Sequence, residues 1–526
     1  MRTTHTAGRP TRTLIAAACA VALAALTLAG GALSAGARTA PQAAATPMTL
    51  KVMELNIEYG GTQVSFAKVV EAVKKAGPDV IGLEEAETNS GRLARAAGYA
   101  YWSDSMQVVS RYPLLEPPQA DGAYLSVLVA PGRCVALSNV HLPSAPYGPN
   151  LIRAGKSAAQ VVANEKKARL PYIQTQLQVL PPLAQQGIPV FLLGDFNAPS
   201  YRDYTAEVVG TRPGVKFVVD WPVSEAVEAA GFTDSWRAVH PDPVESPGLT
   251  WWAPRPKVDG WNPTARDPKD RIDFIYAAGP ATTTAAQLAG EKGGPEVTYA
   301  VDPWPTDHRG VVSTFQVSPG PLPVMVAPAP RLARVGDAVT VYYQAASGGA
   351  TVVVLVKPGG GVADAVVSLP VPQAAAATGS LTLDTAGLAP ADYELLLVGA
   401  GDVVQARAPF WLQARGAKPR ISVDKTSYAP GEPIVVSWKN APANRWDWLG
   451  VYKAGAANPN VDYYLIWQYT GGPGSGTSAG PVAGSVTFQK GSVEGKPWPL
   501  KPGKYVLYYL LADGYKAVAR TTFSVR

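Results

Sequence analysis

The sequence predicts an α/β layered domain over residues 49–317, followed by two all-β immunoglobulin-like sandwich modules at 331–415 and 416–526. Three observations carry this. Up to residue 317, apolar strand-like runs alternate with helix-like segments, a mixture that implies a buried sheet covered by helices. Past a proline-rich stretch at 318–330, expected to be a linker, short strands and turn signals replace the helical pattern. The last part of the chain also repeats internally, at about 100 residues per copy, the size of a sandwich module.

The N-terminus reads as an export signal over 1–37. Arg2, Arg9 and Arg12 come with no acid, Leu14 to Leu28 is apolar, and Ala35-Gly36-Ala37 offers a small-residue cleavage site. The mature chain is expected to begin near Arg38 with a disordered lead at 38–48 and to be secreted; a retained anchor is the competing reading. No other run of the sequence is long and apolar enough to suggest a membrane span.

Within 49–317, Leu50–Leu55 reads as a strand and Phe66–Ala76 as a helix stopped by Gly77-Pro78. Val80–Leu83, Val135–Val140, Val190–Leu193, Ile272–Tyr276 and Val311–Val317 read as further strands. Lys156–Leu180 reads as one long helix ended by Pro181-Pro182. In the modules, the segment from Val335 to Tyr342 matches Pro430 to Trp438, Gly379–Leu383 matches Gly484–Phe488, and Leu388–Tyr393 matches Leu500–Tyr505.

Composition excludes some classes. Of 526 residues, 47% are hydrophobic, which rules out wholesale disorder. The formal charge of +6 drops by three once Arg2, Arg9 and Arg12 are removed, too little by itself to indicate nucleic-acid binding. Of two cysteines, Cys19 lies in the signal and Cys134 in an apolar run. No disulfide or cysteine metal site follows, and Cys134 reads as a small buried strand residue.

The polar residues at strand ends carry the chemistry. Of four histidines, His5 leaves with the signal and His240 sits in a loop without a role. His141 ends a strand, and His308 precedes the last strand in Thr306-Asp307-His308-Arg309. Gly194-Asp195-Phe196-Asn197 ends another strand, with Asp195 and Asn197 expected on one side by strand alternation. Asn56, Glu84-Glu85 and Asp273 stand at further strand edges. A carboxylate at the end of an apolar strand is costly unless hydrogen-bonded or metal-bound. Oxygen ligands with two imidazoles suit a hard cation beside acid/base groups.

In this order, Asn56, Glu85, His141, Asp195-x-Asn197, Asp273 and Asp307-His308 resemble the endonuclease/exonuclease/phosphatase superfamily, over about 49–317. The resemblance implies a four-layer α/β/β/α sandwich and metal-dependent hydrolysis of phosphate esters, most simply of a phosphodiester. It implies Glu85, Asn56 and Asp307 on the metal side, with Mg²⁺ as the cofactor and Mn²⁺ or Ca²⁺ as alternatives. It implies Asp195 orienting the attacking water, Asn197 on a phosphate oxygen, His308 as general base, Asp273 orienting an imidazole, and His141 at the phosphate near the leaving group. Glu84 stands where the family usually has Gln. The segment Ser105–Arg111 departs from the family pattern, and the stretch between Glu85 and Ser110 is short, which bears on the substrate groove. Arg111 reads equally as a phosphate contact or a surface salt bridge.

Trp446 to Lys453, with Tyr505 to Tyr509, resembles a SKICH-like β-sandwich over about 418–526. Trp438, Trp448 and Tyr508 read as sandwich core, with a platform for glycan, lipid or cell surface as the alternative. Lys166, Lys167 and Arg169 read as a solvated helix face, with phosphate contact as the alternative. The expected partner is a phosphate-ester substrate, either nucleic acid or a phospholipid head group, with the chain acting as a monomer. Two further readings compete: a sphingomyelinase-like lipid phosphodiesterase rather than a nuclease, and a non-catalytic surface-binding protein on a degenerate hydrolase fold. Exposed aromatics at the groove favour lipid, and a continuous basic groove favours nucleic acid.

Overall fold

The computed structural model describes residues 46–526 apart from 121, 260, 460–461, 473–480 and 496–497; the expected export signal at 1–37 and most of the expected lead at 38–48 lie outside the described residues. The α/β region up to residue 317 builds two mixed sheets. The first has the order β12-β11-β13-β1-β2-β4-β3, from β1 (Met48–Asn56), β2 (Val80–Glu84), β3 (Tyr101–Ser103), β4 (Val108–Ser110), β11 (Ala281–Glu291), β12 (Val297–Val301) and β13 (Gly310–Val317). The second has the order β5-β6-β7-β8-β10-β9, from β5 (Leu114–Leu115), β6 (Leu125–Ala130), β7 (Arg133–His141), β8 (Val190–Asp195), β9 (Thr233–Asp234) and β10 (Asp273–Ala278).

Three apolar clusters define the layers. Leu50, Val52, Val80, Phe191, Leu193, Ile275 and Phe315 fill the space between the sheets. Met53, Leu55, Ile81 and Leu83 pack outward on Val69 and Val73 of a helix, α2 (Phe66–Ala76), which follows the short turn α1 (Glu58–Gly61). On the far side Ala136, Val190 and Leu192 pack on Ile173, Leu180 and Val227. Those residues belong to α6 (Leu170–Gln185) and α7 (Pro222–Ala229). Alternate residues of each strand thus serve two different cores, which is why these strands are apolar throughout. The result is the four-layer α/β/β/α sandwich that the resemblance implies.

Two helical expectations change. The predicted single helix at 156–180 is instead α5 (Ala158–Ala168) followed by α6. The break falls at Arg169, and α6 runs through Pro181 and Pro182 to Gln185. Leu180 and Leu183 anchor that last turn in the core, so packing outweighs the proline penalty, about 3 kcal/mol for an interior site. Arg169 is not on a solvated face: it is fully buried, its guanidinium 2.8 Å from Glu165 and donating to the carbonyls of Ser144 and Pro146. Lys166 and Lys167 are exposed.

The proline-rich stretch is woven into both neighbours rather than linking them. β14 (Gly320–Pro321) pairs with Cys134 and Arg133 of β7. β15 (Met325–Ala329) pairs with Ala338–Gln344 of the first module. Proline is tolerated there because β15 is an edge strand. Cys134 is buried, and burial pushes its thiol up to about 12.

The two modules share one plan. Each has a three-stranded sheet whose middle strand is Ala338–Gln344 or Ile434–Lys439, facing a larger sheet with Ala391–Val398 or Gly503–Leu510 near its centre. In each, a tyrosine hydroxyl donates to the carbonyl four residues back: Tyr393 to Ala389 at 2.8 Å and Tyr505 to Lys501 at 2.5 Å. Trp438 and Tyr508 are buried in the second module.

Candidate active site

Strand register assembles the site. β7 and β8 are parallel with His141 level with Asp195, and β10 is antiparallel to β8 with Asp273 level with Asp195. Across the sandwich, Asn56 ends β1 level with Glu84 at the end of β2. The Thr306-Asp307-His308 segment returns beside them: the Thr306 hydroxyl donates to the Asn56 carbonyl at 2.8 Å, and the Trp304 indole to the His308 carbonyl at 2.7 Å.

The close pairing of β7 and β8 explains Gly194. Its φ is +138°, and a Cβ there would lie 1.8 Å from the Val140 carbonyl oxygen. Asn197 is brought back to Asp195 by a turn rather than by strand alternation, because β8 stops at Asp195 and Asn197 takes φ +49°. Its backbone N–H donates to Asp195 Oδ1 at 2.8 Å, and its amide donates to the Leu142 carbonyl at 3.0 Å.

Two imidazoles flank Asp195. Asp195 Oδ2 lies 3.7 Å from His308 Nε2 and 3.6 Å from His141 Nε2. His308 Nδ1 faces both oxygens of the buried Asp273, at 2.9 and 3.1 Å. His141 Nδ1 lies 3.0 Å from Asp513 Oδ2, a residue of the second module. Burial disfavours the His308 imidazolium, yet Asp273, Asp195 and Asp307 together hold His308 well above its ordinary value. For His141, Asp513, Asp195 and Glu85 likewise outweigh burial and push it up to about 10. Burial, reinforced by Asp273, raises Asp195 to about 6. Beneath the cleft, burial pushes Glu84 up to about 8, although Glu54 hydrogen-bonds it.

The oxygen donors gather opposite. Asn56 braces them from behind: its amide Nδ2 donates to Glu85 Oε1 at 3.3 Å and Asp195 Oδ2 at 3.2 Å, and its oxygen accepts from the Glu58 N–H at 3.0 Å. Glu85 Oε2 accepts from the Tyr59 N–H at 3.0 Å, and Glu85 itself takes φ +55°. Asp307 accepts from the Trp251 indole at 3.2 Å, and its N–H donates to Glu58 Oε2 at 3.2 Å. Glu58 is paired with Arg255 at 2.6 Å; burial, then Asp307, still raises it to about 7. Glu85, Asp195 and Asp307 line one cleft of about 520 Å³ together with Asn197 and both imidazoles. Among the described residues no lysine or arginine lines it. Carboxylates crowded without a lysine or arginine among them fit a divalent cation held by oxygen. Asp195, Asp273 and His308 also bring ligand-type atoms within 4.8 Å of one another. Both Asp273 oxygens face His308 Nδ1, so that trio serves the imidazole.

The far wall is aromatic and comes largely from the second module: Trp448, Tyr464, Trp467, Tyr469 and Tyr515, facing Trp251 and Trp261. The last two rings stack at 5.5 Å. Trp448 is therefore both buried and part of the cleft. Of the residues singled out in the sequence, Arg111 lies outside this cleft: it pairs with Asp79 at 3.5 Å and packs on Tyr99. His240 Nε2 faces the Ala286 carbonyl at 2.9 Å. Sequence reasoning missed Glu58, Trp251, Trp261 and Asp513. Only Asp513 carries a local signal, as Ala512-Asp513-Gly514, and that signal reads simply as a turn.

Residues 53–308 match the Endonuclease/Exonuclease/phosphatase family. The hydrolase domain belongs to that family. Its members are divalent-metal-dependent hydrolases of phosphate esters. Residues 420–525 match the SKICH domain. An uncharacterised Caenorhabditis elegans protein, F14F9.5, is 26% identical over 288 residues, covering 51% of this chain and 91% of its own. Among solved structures, an endonuclease/exonuclease/phosphatase from Beutenbergia cavernae is 18% identical, with 69% of this chain and 100% of that chain covered and a TM-score of 0.31. Danio rerio TDP2 with a single-stranded DNA product is also 18% identical, with 51% and 98% covered and a TM-score of 0.31. A mannosyl-6-phosphatase from Bacteroides thetaiotaomicron is 14% identical, with 51% and 99% covered and a TM-score of 0.28.

Proposed function

We propose that this chain is an exported, divalent-cation-dependent phosphodiesterase whose substrate has a compact organic group rather than a nucleic-acid chain. The observation that carries the reaction class is Asp195 held between two carboxylate-backed imidazoles in a cleft of oxygen donors. Glu85 and Asp307 would hold the cation, while Asn56, expected beside them, instead donates its amide N–H groups to Glu85 and Asp195 and so orients these carboxylates. When bound, Mg²⁺, or Mn²⁺ or Ca²⁺ in its place, would neutralise charge on the phosphate as the attacking oxygen approaches.

The protein's own groups divide the remaining work. Asp195 orients the water, and His308 accepts the water proton at Nε2 while Asp273 keeps the Nδ1 proton in place; the surrounding carboxylates favour the charged ring, and a cation held among them would offset that and favour the neutral form the base needs. Asn197 faces a phosphate oxygen. The water oxygen bonds to phosphorus, the ester P–O bond breaks, and the departing oxygen takes the electron pair. His141 stands at the leaving-group side as a charged imidazole able to supply a proton. The N-terminal pattern at 1–37 supports export.

Substrate size is argued from the walls. Nucleic acid is held by cations along its backbone, and no lysine or arginine lines the cleft among the described residues. Aromatic faces instead suit a ring or a lipid head group, which favours the lipid-phosphodiesterase reading over a nuclease. Purified protein with Mg²⁺ is expected to cleave bis-(p-nitrophenyl) phosphate, and H308A and D195A to lose at least about 10²-fold in kcat while staying folded. A panel of DNA, RNA, sphingomyelin and inositol phosphates, with and without chelator, identifies the substrate. An inert wild type with Mg²⁺, Mn²⁺ and Ca²⁺ would instead support the binding-protein reading.

A further inference from the structure

The two imidazoles of the cleft are backed differently. His308 takes its carboxylate, Asp273, from its own domain. His141 is backed by Asp513, in the turn between the second module's strands Gly503–Leu510 and Ala517–Val525. That carboxylate is held in place: the Tyr469 hydroxyl donates to Oδ1 at 2.9 Å, and the Asp513 N–H donates to the Trp446 carbonyl at 2.8 Å.

The turn itself is socketed in the hydrolase domain. The Tyr515 N–H donates to Glu87 Oε1 at 3.1 Å, and Gln107 Nε2 lies 3.4 Å from the Ala512 carbonyl. A Cβ on Gly514 would lie 2.3 Å from Glu87 Cγ, so a larger residue there would displace the side chain that holds the Tyr515 N–H. A second brace reaches the strand that carries His141. Arg445 is fully buried, and its guanidinium donates to the Asn139 carbonyl of β7 at 3.1 Å while its backbone N–H donates to Ser105 Oγ at 3.0 Å.

We propose that the second module is part of the active site and that Asp513 is the positioning residue for His141. Asp513 forms an ion pair with the Nδ1 side of the ring at 3.0 Å, which holds Nε2 toward Asp195 and the leaving group. As the ester bond breaks, the departing oxygen takes the Nε2 proton. The ring is left neutral with its Nδ1–H edge still facing Asp513, and solvent returns the proton after product leaves. The charged groups facing His141 are Asp513 from the module, Asp195 from β8 and Glu85 beyond β2, with His308 across Asp195. This assignment rests on the phosphodiesterase reading for its chemistry, but the Asp513–His141 pairing can be measured without turnover.

The test uses the full chain with D513N, D513E and Y469F, assayed on bis-(p-nitrophenyl) phosphate with Mg²⁺. D513N is expected to lower kcat about 10²-fold, keep KM within about three-fold, and move the alkaline limb of the kcat profile to lower pH. D513E restores most of the loss. Y469F removes only the hydroxyl that steadies Asp513. It gives a smaller fall in kcat with KM kept, and it decides the matter if D513N fails to fold. Histidine NMR, with His141 assigned through H141Q, is expected to show its titration midpoint falling in D513N. Unchanged kcat and pH profile in D513N and Y469F, or a His141 titration indifferent to D513N, overturns the assignment. An inert wild type with the His141 shift present would instead overturn the phosphodiesterase reading and leave the pairing standing.

Discussion

Replacing Asp203 with alanine tests the buried scaffold that leads into the site. Asp203 is buried and accepts from Arg237 Nε and Nη2 at 2.9 and 2.7 Å and from Arg271 Nε and Nη2 at 3.0 and 3.1 Å. Arg271 leads directly into β10 and Asp273. Charge-assisted bonds at about 1.5–3 kcal/mol each would suggest a total of roughly 6–12 kcal/mol. That total overstates the loss, because both guanidiniums keep partners. Arg271 Nη1 still meets Asp234 at 2.7 Å, and Arg237 still reaches the carbonyls of His240 and Ser246 at 2.9 and 2.7 Å. Breaking a buried pair from one side costs about 3–5 kcal/mol, and the remaining partners place this case near ~3 kcal/mol. At about 2–4 °C per kcal/mol for a domain of this size, Tm should fall roughly 6–12 °C. Burial works against the Asp203 charge, but Arg271 and Arg237 hold its carboxyl below the ordinary value. A depressed carboxyl contributes fully above its unfolded pKa, about 3.9, and loses that contribution as pH falls through the folded value. Differential scanning fluorimetry should therefore show the wild-type advantage constant from pH 7 to about 4.5 and shrinking below about 3.9. A Tm loss under about 2 °C at pH 7, or a gap that shrinks on going from pH 5 to 8, would refute this account.

Other outcomes follow from the same geometry. G194A forces a Cβ onto the Val140 carbonyl at a positive φ and should cost more than about 4 kcal/mol, seen as loss of soluble protein. Glu84 has a folded pKa raised to about 8 by burial, so native stability should decline as pH rises from about 4.3 and level off above the folded value. E84Q should flatten that decline and raise Tm at pH 8.5, and a wild-type slope retained in E84Q would count against it. W467A removes one ring of the aromatic wall and should raise KM for the preferred organic diester about ten-fold, with kcat on a small alkyl diester changed less than two-fold.

Much of the site was legible because it is written at the ends of apolar strands. Glu85, His141, Asp195 and Asp273 each follow or open a run whose burial on both faces leaves little doubt about its conformation. Register then does the gathering, which the sequence implies through order alone. What escaped was decided by packing between distant parts. Pro181 and Pro182 suggest a helix stop, but Leu183 beyond them is held by the sheet. Pro321 and Pro328 suggest a linker, but edge pairing does not need the missing N–H. Arg169 looks solvated on an unbroken helix and is buried once the helix breaks. Asp513 is the hardest case, since its partner lies at the other end of the chain and its own neighbours announce only a turn.

The weave of β14 and β15 sets a limit on how this molecule can be taken apart. Removing the chain beyond residue 317 takes β14 from the start of β7, empties the socket that Arg445 fills between Ser105 and Asn139, and leaves His141 without Asp513. The hydrolase sandwich is therefore not an excisable part.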